Sequence, residues 1–536
     1  HHKVLPPTIK VDQPNAKLEV ESSPFYINTE ARPWVRNGDH PRRAGVSSFG
    51  FGGSNFHVTL EEYTGREHAK GRFRVSPTEL FLLSSETPEQ LLAQCGGLIE
   101  GFNGEAGFQF LARETQLDFL STEPVRLSIV AKDFEDLRTK LEGAMAAIQR
   151  APEKAQRSPV GWSYSGSRGD DEPGQIAFLF PGQGSQYVGM GADLAKAFAD
   201  VQAIWDEAAS LDFESGRRLH EIVYPIPVFS EEARALQEAT LRATEWAQPA
   251  IGTTSLGYLN LLVNLGITPD CVGGHSFGEV TALHAAGSLD RKAFFNVARK
   301  RGELMAEASE MFPGAMTAVF HDAETLTQLL IQWDTGVVVA NHNGPGQVVI
   351  SGITSAIESA ESRFEREGIR YRRLPVSTAF HSPVVRPAAA PFQSYLDHIH
   401  MASPWLPVYA NSTASLYPTV PAAMRETLAR QIARPVRFEE QIEAMYAAGV
   451  RTFVEVGPGT VLANLVNSCL GDQPHLAIAL DRKGQHGLTS LWHALGQLAV
   501  LGVPMDLARL WENIAGEADP RLDKAPKLAI EISGVN

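Results

Sequence analysis

The sequence predicts an α/β protein: a core of strand–turn–helix units, a smaller αβ unit inserted into that core, and a small α+β domain ahead of it. Three stretches carry that expectation. Pro269–Glu279 reads as a short strand, a tight turn and the start of a helix. Ile176–Phe180 is an apolar, buried-type strand that feeds Pro181-Gly182-Gln183-Gly184-Ser185-Gln186 and then a long helical region. From about 311 to 376, strand and helix patterns follow the order βαββαβ, which is ferredoxin-like.

The first stretch contains Gly274-His275-Ser276-Phe277-Gly278, a G-x-S-x-G run. In a nucleophile elbow the serine sits on a strained turn with its hydroxyl above the sheet. The glycines permit the sharp turn. The Phe277 amide would then face a developing oxyanion, and the helix through Ala286 would aim its positive end at the same place. This makes the core α/β-hydrolase-like. An inert Gly-Ser turn is the alternative, and the strand before and helix after favour the elbow. In the second stretch the lysine of a phosphate loop is lacking. With the elbow downstream, the Gln183 amide is expected to be a second oxyanion donor.

The 536 residues suggest three or four domains. The first runs from 1 to 63 and contains Val46–Glu62, a glycine-rich turn running into a strand. The G-x-G-x-x-G spacing of a phosphate loop is absent and no helix follows, which argues against a phosphate loop. The second, 64–172, has strands at Leu80–Ser85 and Val125–Val130. Thr87-Pro88-Glu89 caps one helix and Asp133 begins another. Ser167–Glu172 is its polar exit. The third, 173–480, is the core with the insertion at 311–376, in which Asn341–Gly346 reads as a tight turn and His342 as surface. Phe453–Thr460 is a strand and turn that close the core. The last, 481–536, holds a helix from Leu488 to Leu501 and a tail expected to pack back on earlier domains.

Composition narrows the function. At 43% hydrophobic and 20% charged the chain is of globular type, with no apolar run of membrane-span length. The opening residues do not read as a signal peptide. Cys95, Cys271 and Cys469 are far apart and form no C-x-x-C motif, which suits buried thiols in a reducing, cytoplasmic setting and predicts no metal site. A net charge of −15 argues against nucleic acid as a partner.

Two further residues stand out. Phe294, Ala298, Arg301 and Met305 recur at helical spacing, which puts Arg301 on an apolar face. A charge there needs a partner. That partner is either a structural carboxylate or a substrate carboxylate held by the guanidinium fork. A serine nucleophile also needs a base. Among sixteen histidines, His381 follows Ser377–Phe380 where the chain re-enters the core. His275 neighbours the serine but should point across the elbow. His284 lies two turns along the next helix, and His398 and His400 read as surface helix. No aspartate is placed to complete a triad, so a backbone carbonyl is expected to orient the base.

Several motifs match in order: Pro181–Gln186, Gly274–Glu279, Arg301, Ala379-Phe380-His381-Ser382 and Glu455-Val456-Gly457-Pro458-Gly459. Through them the core resembles the malonyl-CoA:acyl-carrier-protein transacylase family. With its flanks the chain resembles the acyltransferase region of a type I iterative polyketide synthase. Residues 1–63 resemble a ketosynthase C-terminal tail, 64–172 a ketosynthase-to-acyltransferase linker and 481–536 a post-acyltransferase linker. The likeness to such a tail implies that His57 is structural. Val376–Pro383 also resembles enediyne-type and polyunsaturated-fatty-acid-type synthases.

The resemblance implies Ser276 as nucleophile, His381 as base, and Gln183 and Phe277 as oxyanion donors. It implies Arg301, Gln248, Phe380 and His275 as substrate-binding residues and the Gln431 carbonyl as the group that orients His381. The implied substrate is malonyl-CoA and the implied acceptor is the phosphopantetheine thiol of an acyl carrier protein. A ketosynthase of the same synthase is the other implied partner, with no permanently bound cofactor and no membrane. Thr244–Pro249 and Ala379-Phe380-His381 resemble malonyl-type segments, although Thr378 stands where that pattern has His. A methylmalonyl-selective enzyme and a serine thioesterase or hydrolase are the alternatives.

Overall fold

The computed structural model describes residues 2–514, apart from 37, 39, 66–71, 73, 102–106, 167–172 and 377. The polar exit read at Ser167–Glu172 therefore lies outside the described residues. The chain divides into two compact units, one of His1–Glu67 with Pro173–Ala494, the other of His68–Glu172 with Leu495–Asn536.

The first unit is built on four parallel strands in the order Cys271–Gly274, Gln175–Phe180, Val450–Glu455 and Leu476–Ala479. Ala177, Phe178, Leu179, Phe180, Phe453 and Val454 are buried. Such unbroken apolar strands are what a parallel sheet covered on both faces requires. Gly274 pairs with Phe180, and Glu455 with Leu179. The elbow, the Pro181–Gln186 loop and the Val456–Gly459 loop therefore all leave the sheet at its carboxyl end. Ligand sites of open α/β sheets form at that end.

Two long helices cover this region. Thr244–Asn264 is buried along most of its length. Arg291–Met311 starts at Asp290, whose carboxylate accepts the Ala293 amide at 2.7 Å. A Cβ on Gly302 would lie 2.9 Å from the Thr244 carbonyl, so glycine lets these two helices approach. Arg299 and Lys300 turn outward and pair with Glu303. Phe294, Ala298, Arg301 and Met305 are all buried, as the helical spacing predicts.

The insertion has the expected βαββαβ order, from Gly314–Val319 to Tyr371–Arg373. Its sheet runs fourth–first–third–second, and Val436–Arg437 adds a parallel strand beside the second. The turn differs from the expectation. The second strand continues through Val338–Gly344, leaving Pro345 and Gly346 alone in the turn. Asn341, His342 and Gly344 pair with Val349, Val348 and Gln347 of the third strand, which carries the second strand to the turn, and Asn341 and His342 also pair with Val436 and Arg437. His342 is partly exposed, 3.4 Å from Glu440.

Near the start of the chain, Arg43–Phe49 and Asn55–Glu61 form an exposed two-stranded hairpin. His57 lies there, bonded to the Ser47 hydroxyl at 2.8 Å. Arg42 ties the segment to the core by donating to both Glu62 and Asp206.

The second unit has Glu79–Ser85 and Val125–Ala131 as paired strands, extended by Trp162–Tyr164 and Gln156–Ser158. Pro88–Gly101 and Phe134–Arg150 are the expected helices. A third, Phe108–Leu117, escaped the sequence reading. The described part of the tail packs back: Trp511 Nε1 donates to Gln116 Oε1 at 2.8 Å, and Arg74 lies over the Trp511 ring, while 515–536 lie outside the described residues.

Candidate active site

The elbow glycines are set by close approach. A Cβ on Gly278 would meet the Phe180 carbonyl, and one on Gly274 would meet the Gly278 backbone. Ser276 between them has φ 53°, in the left-handed region. Such strain persists only where its surroundings over-determine it. Here Asn411 does so. Its Oδ1 accepts the Ser276 amide at 2.7 Å, while its Nδ2 donates to the Gly274 carbonyl at 2.6 Å and to Gln441 Oε1 at 2.7 Å. The Asn411 amide donates to Glu279, which also accepts the Tyr417 hydroxyl. Burial pushes the Glu279 carboxyl up to about 7.

Ser276 Oγ lies 2.7 Å from His381 Nε2. His381 Nδ1 lies 3.1 Å from the Gln431 carbonyl and 3.0 Å from the Arg434 carbonyl. Carbonyls only accept, so Nδ1 carries the proton and Nε2 is free to accept from Ser276. No aspartate is needed to fix that tautomer. His381 is buried with φ 55°. Burial, and then the nearby Arg301 charge, push its pKa down to about 3. The imidazole is therefore neutral at rest.

The Gln183 and Phe277 amides donate no hydrogen bond to any described residue. A Cβ on Gly182 would lie 2.3 Å from the His275 carbonyl and 3.5 Å from the Phe277 amide nitrogen. The two loops thus touch at Gly182, the neighbour of Gln183, and the amide of Phe277 directly follows Ser276. The Phe277 side chain itself is fully buried. Asp481 steadies this side of the site. Its carboxylate accepts from Tyr187, Tyr258 and the Gly459 amide, which ties the loop after Gln183 to the Gly457–Gly459 turn.

Arg301 is fully buried, and no described carboxylate forms an ion pair with it. Nη1 donates to Gln248 Oε1 at 2.7 Å and Nη2 to Gln431 Oε1 at 2.9 Å, while Nε has no partner. Burial holds its pKa down to about 10, against the through-space pull of Glu279. Gln248, expected to bind substrate, has its oxygen on Arg301 and its amide nitrogen 3.5 Å from Met305 Sδ. Phe380 is buried next to His381. Thr378 bonds to the Ser309 hydroxyl at 2.6 Å.

The other histidines weighed as bases are held elsewhere. His275 Nε2 lies 2.8 Å from Asn343 Oδ1 and its ring packs on Phe438, so it points across the elbow as expected. His284 bonds to the Leu289 carbonyl. His398 and His400 are exposed but lie beyond the end of the Ala389–Leu396 helix. Asn411, Tyr417 and Glu279 are the site residues that sequence reasoning missed. Among the described residues there is no cluster that could hold a metal ion. No helix of the described residues is long and apolar enough to cross a membrane.

A serine–histidine pair with two free amides and a buried arginine fork is the equipment of an acyl-transferring enzyme. Residues 177–503 match the acyl transferase domain model, and 14–103 match the ketoacyl-synthetase C-terminal extension. The chain belongs to the acyltransferase family. It is 41% identical over 298 residues to the malonyl CoA-acyl carrier protein transacylase of Bacillus subtilis, covering 54% of this chain and 89% of that one. It is 30% identical to a polyunsaturated fatty acid synthase protein of Thraustochytrium sp., over 95% of this chain but only 19% of that protein. The acyltransferase domain of an iterative polyketide synthase of enediyne biosynthesis shares the fold, with TM-score 0.62 and 24% identity over 81% of this chain and 99% of that one.

Proposed function

We propose that the chain loads malonyl from malonyl-CoA onto the phosphopantetheine thiol of an acyl carrier protein, for chain extension in a cytoplasmic polyketide-type synthase. One observation carries the reading. Arg301 is a fully buried cation with no carboxylate in hydrogen-bond contact among the described residues, and it belongs to the same hydrogen-bonded cluster as Ser276 and His381. A buried charge is costly unless something pairs with it, and the carboxylate of malonyl is the missing partner.

The reaction is a two-step exchange. His381 Nε2 takes the Ser276 hydroxyl proton as Oγ attacks the thioester carbonyl. The Gln183 and Phe277 amides hold the oxyanion. The C–S bond breaks, and CoA leaves as the thiol with the proton from His381. The malonyl-Ser276 ester remains, its carboxylate on Arg301. The carrier thiol then gives its proton to His381 and its sulfur attacks the ester. Oγ leaves and recovers the proton. The reaction calls for no bound cofactor. Gln248 supports the fork, Phe380 limits room for an α-methyl group, and His275 fixes the insertion over the elbow. The ketosynthase of the same synthase would consume the loaded carrier.

The test is a carrier-loading assay by mass. Malonyl-CoA and holo carrier protein should give malonyl-carrier in preference to free malonate. Methylmalonyl-CoA should compete poorly, though one methyl sets that preference only at about 1–3 kcal/mol. Release of malonate with no loaded carrier would make the chain a hydrolase.

A further inference from the structure

Gln431 touches Ser276, His381 and Arg301. Its backbone carbonyl accepts from His381 Nδ1. Its side-chain Oε1 accepts from Arg301 Nη2 at 2.9 Å, and its Nε2 donates to the Ser276 carbonyl at 3.0 Å, with Asn411 Oδ1 at 3.4 Å beyond. The orientation of that amide is determined. Turned over, its oxygen would face the Ser276 carbonyl and Asn411 Oδ1, both acceptors, and its NH2 would face the guanidinium. Gln431 is fully buried, so neither mismatch could be relieved by water.

We propose that the Gln431 side chain is the positioning residue that sets carboxylate selectivity: it fixes the spacing between the nucleophile's peptide and the Arg301 fork. The inference rests on the reading of Arg301 as the carboxylate site. The side chain is a neutral spacer, running from Ser276 C=O through the amide to Arg301. It orients one arm of the fork without neutralising it, and Gln248 does the same for the other arm. Two amide oxygens hold the guanidinium plane while its charge stays available. An acidic residue at this place would satisfy the fork internally. The distance from acyl ester to carboxylate is then set by a rigid link, which is how a site discriminates by geometry as well as charge.

The experiment compares malonyl-CoA with acetyl-CoA as acyl donors. It uses wild type, Gln431→Met, Gln431→Glu, Arg301→Ala and the Gln431→Met/Arg301→Ala double variant. The readout is the malonyl-over-acetyl ratio of kcat/KM for Ser276 loading, with fluorophosphonate labelling of Ser276 to report an intact dyad. Both donors are expected to slow in the Gln431 variants, since the Ser276 carbonyl loses a partner. The ratio should fall at least tenfold beyond that shared loss in Gln431→Met, mainly through KM, and further in Gln431→Glu. The double variant should have a ratio no lower than Arg301→Ala alone, because both changes remove one device. An unchanged ratio in Gln431→Met alongside a collapsed ratio in Arg301→Ala overturns the inference and leaves the reading of Arg301 standing. An unchanged ratio in Arg301→Ala overturns that reading itself. Should Gln431→Met fail to label, Gln431→Glu decides, and a wild-type ratio there refutes the proposal.

Discussion

Replacing Arg301 by Met separates a functional cation from a structural one. Met fills similar length without charge or donors. A buried ion pair that loses one member typically costs about 3–5 kcal/mol, because the other charge is stranded. Among the described residues Arg301 has no carboxylate in direct contact, and Glu279 acts on it only through space. Burial moves its pKa from 12.5 to about 10. At about 1.4 kcal/mol per pKa unit, that is roughly 3 kcal/mol against the charged form. Removing the charge recovers this but strands two amide oxygens, Gln248 Oε1 and Gln431 Oε1, at about 1 kcal/mol each. The balance is a variant about 1 kcal/mol more stable than wild type. Urea unfolding of the first unit, followed by tryptophan fluorescence, reads the difference, and malonyl loading of Ser276 should be lost in the same sample. Destabilisation beyond about 3 kcal/mol would refute the reasoning and make Arg301 a structural residue.

Asn411→Leu should destabilise by about 3–5 kcal/mol, since it strands the Ser276 amide, the Gly274 carbonyl and Gln441 Oε1; a loss under 1 kcal/mol in chemical denaturation contradicts this. His381 binds its proton only near pH 3. The acid limb of kcat/KM for Ser276 loading should therefore fall well below pH 6.5, with activity retained at pH 5, and a limb centred at 6.5 would contradict it. The Glu279 carboxyl is raised from 4.5 to about 7. Between those values the folded state holds a proton the unfolded state has lost, so its contribution to stability is full below pH 4.5 and is lost as pH rises through 7. Glu279→Gln should gain on wild type across that window by up to about 3 kcal/mol, and a difference that does not change with pH refutes this.

The sequence revealed those residues whose chemistry is announced locally. Ser276 was legible because a strand, two glycines and a helix start lie within a dozen positions. Arg301 was legible because charge at a buried helical position breaks a pattern. His381 was reached through its place at the return to the core. Asn411 was not, because it acts on a residue 135 positions away and follows a strand of only two residues, Tyr409–Ala410, too short to show a period. The Gln431 side chain was hidden for a related reason: a neutral amide at a helix end looks the same whether it faces water or Arg301, Ser276 and Asn411. The turn read at Asn341–Gly346 is confined to Pro345–Gly346, since hairpin pairing with Gln347–Val349 holds Asn341–Gly344 in a strand. The Phe108–Leu117 helix was missed because Thr115 and Gln116 are buried in it beside Leu111, which blurs its apolar face.

The most direct test of the central claim is the intact mass of the protein after mixing with malonyl-CoA, for wild type and Ser276→Ala. The account predicts one malonyl adduct on wild type, mapped to Ser276, removed by holo carrier protein and absent from the variant. An adduct that persists in Ser276→Ala, or its absence from wild type, would contradict it.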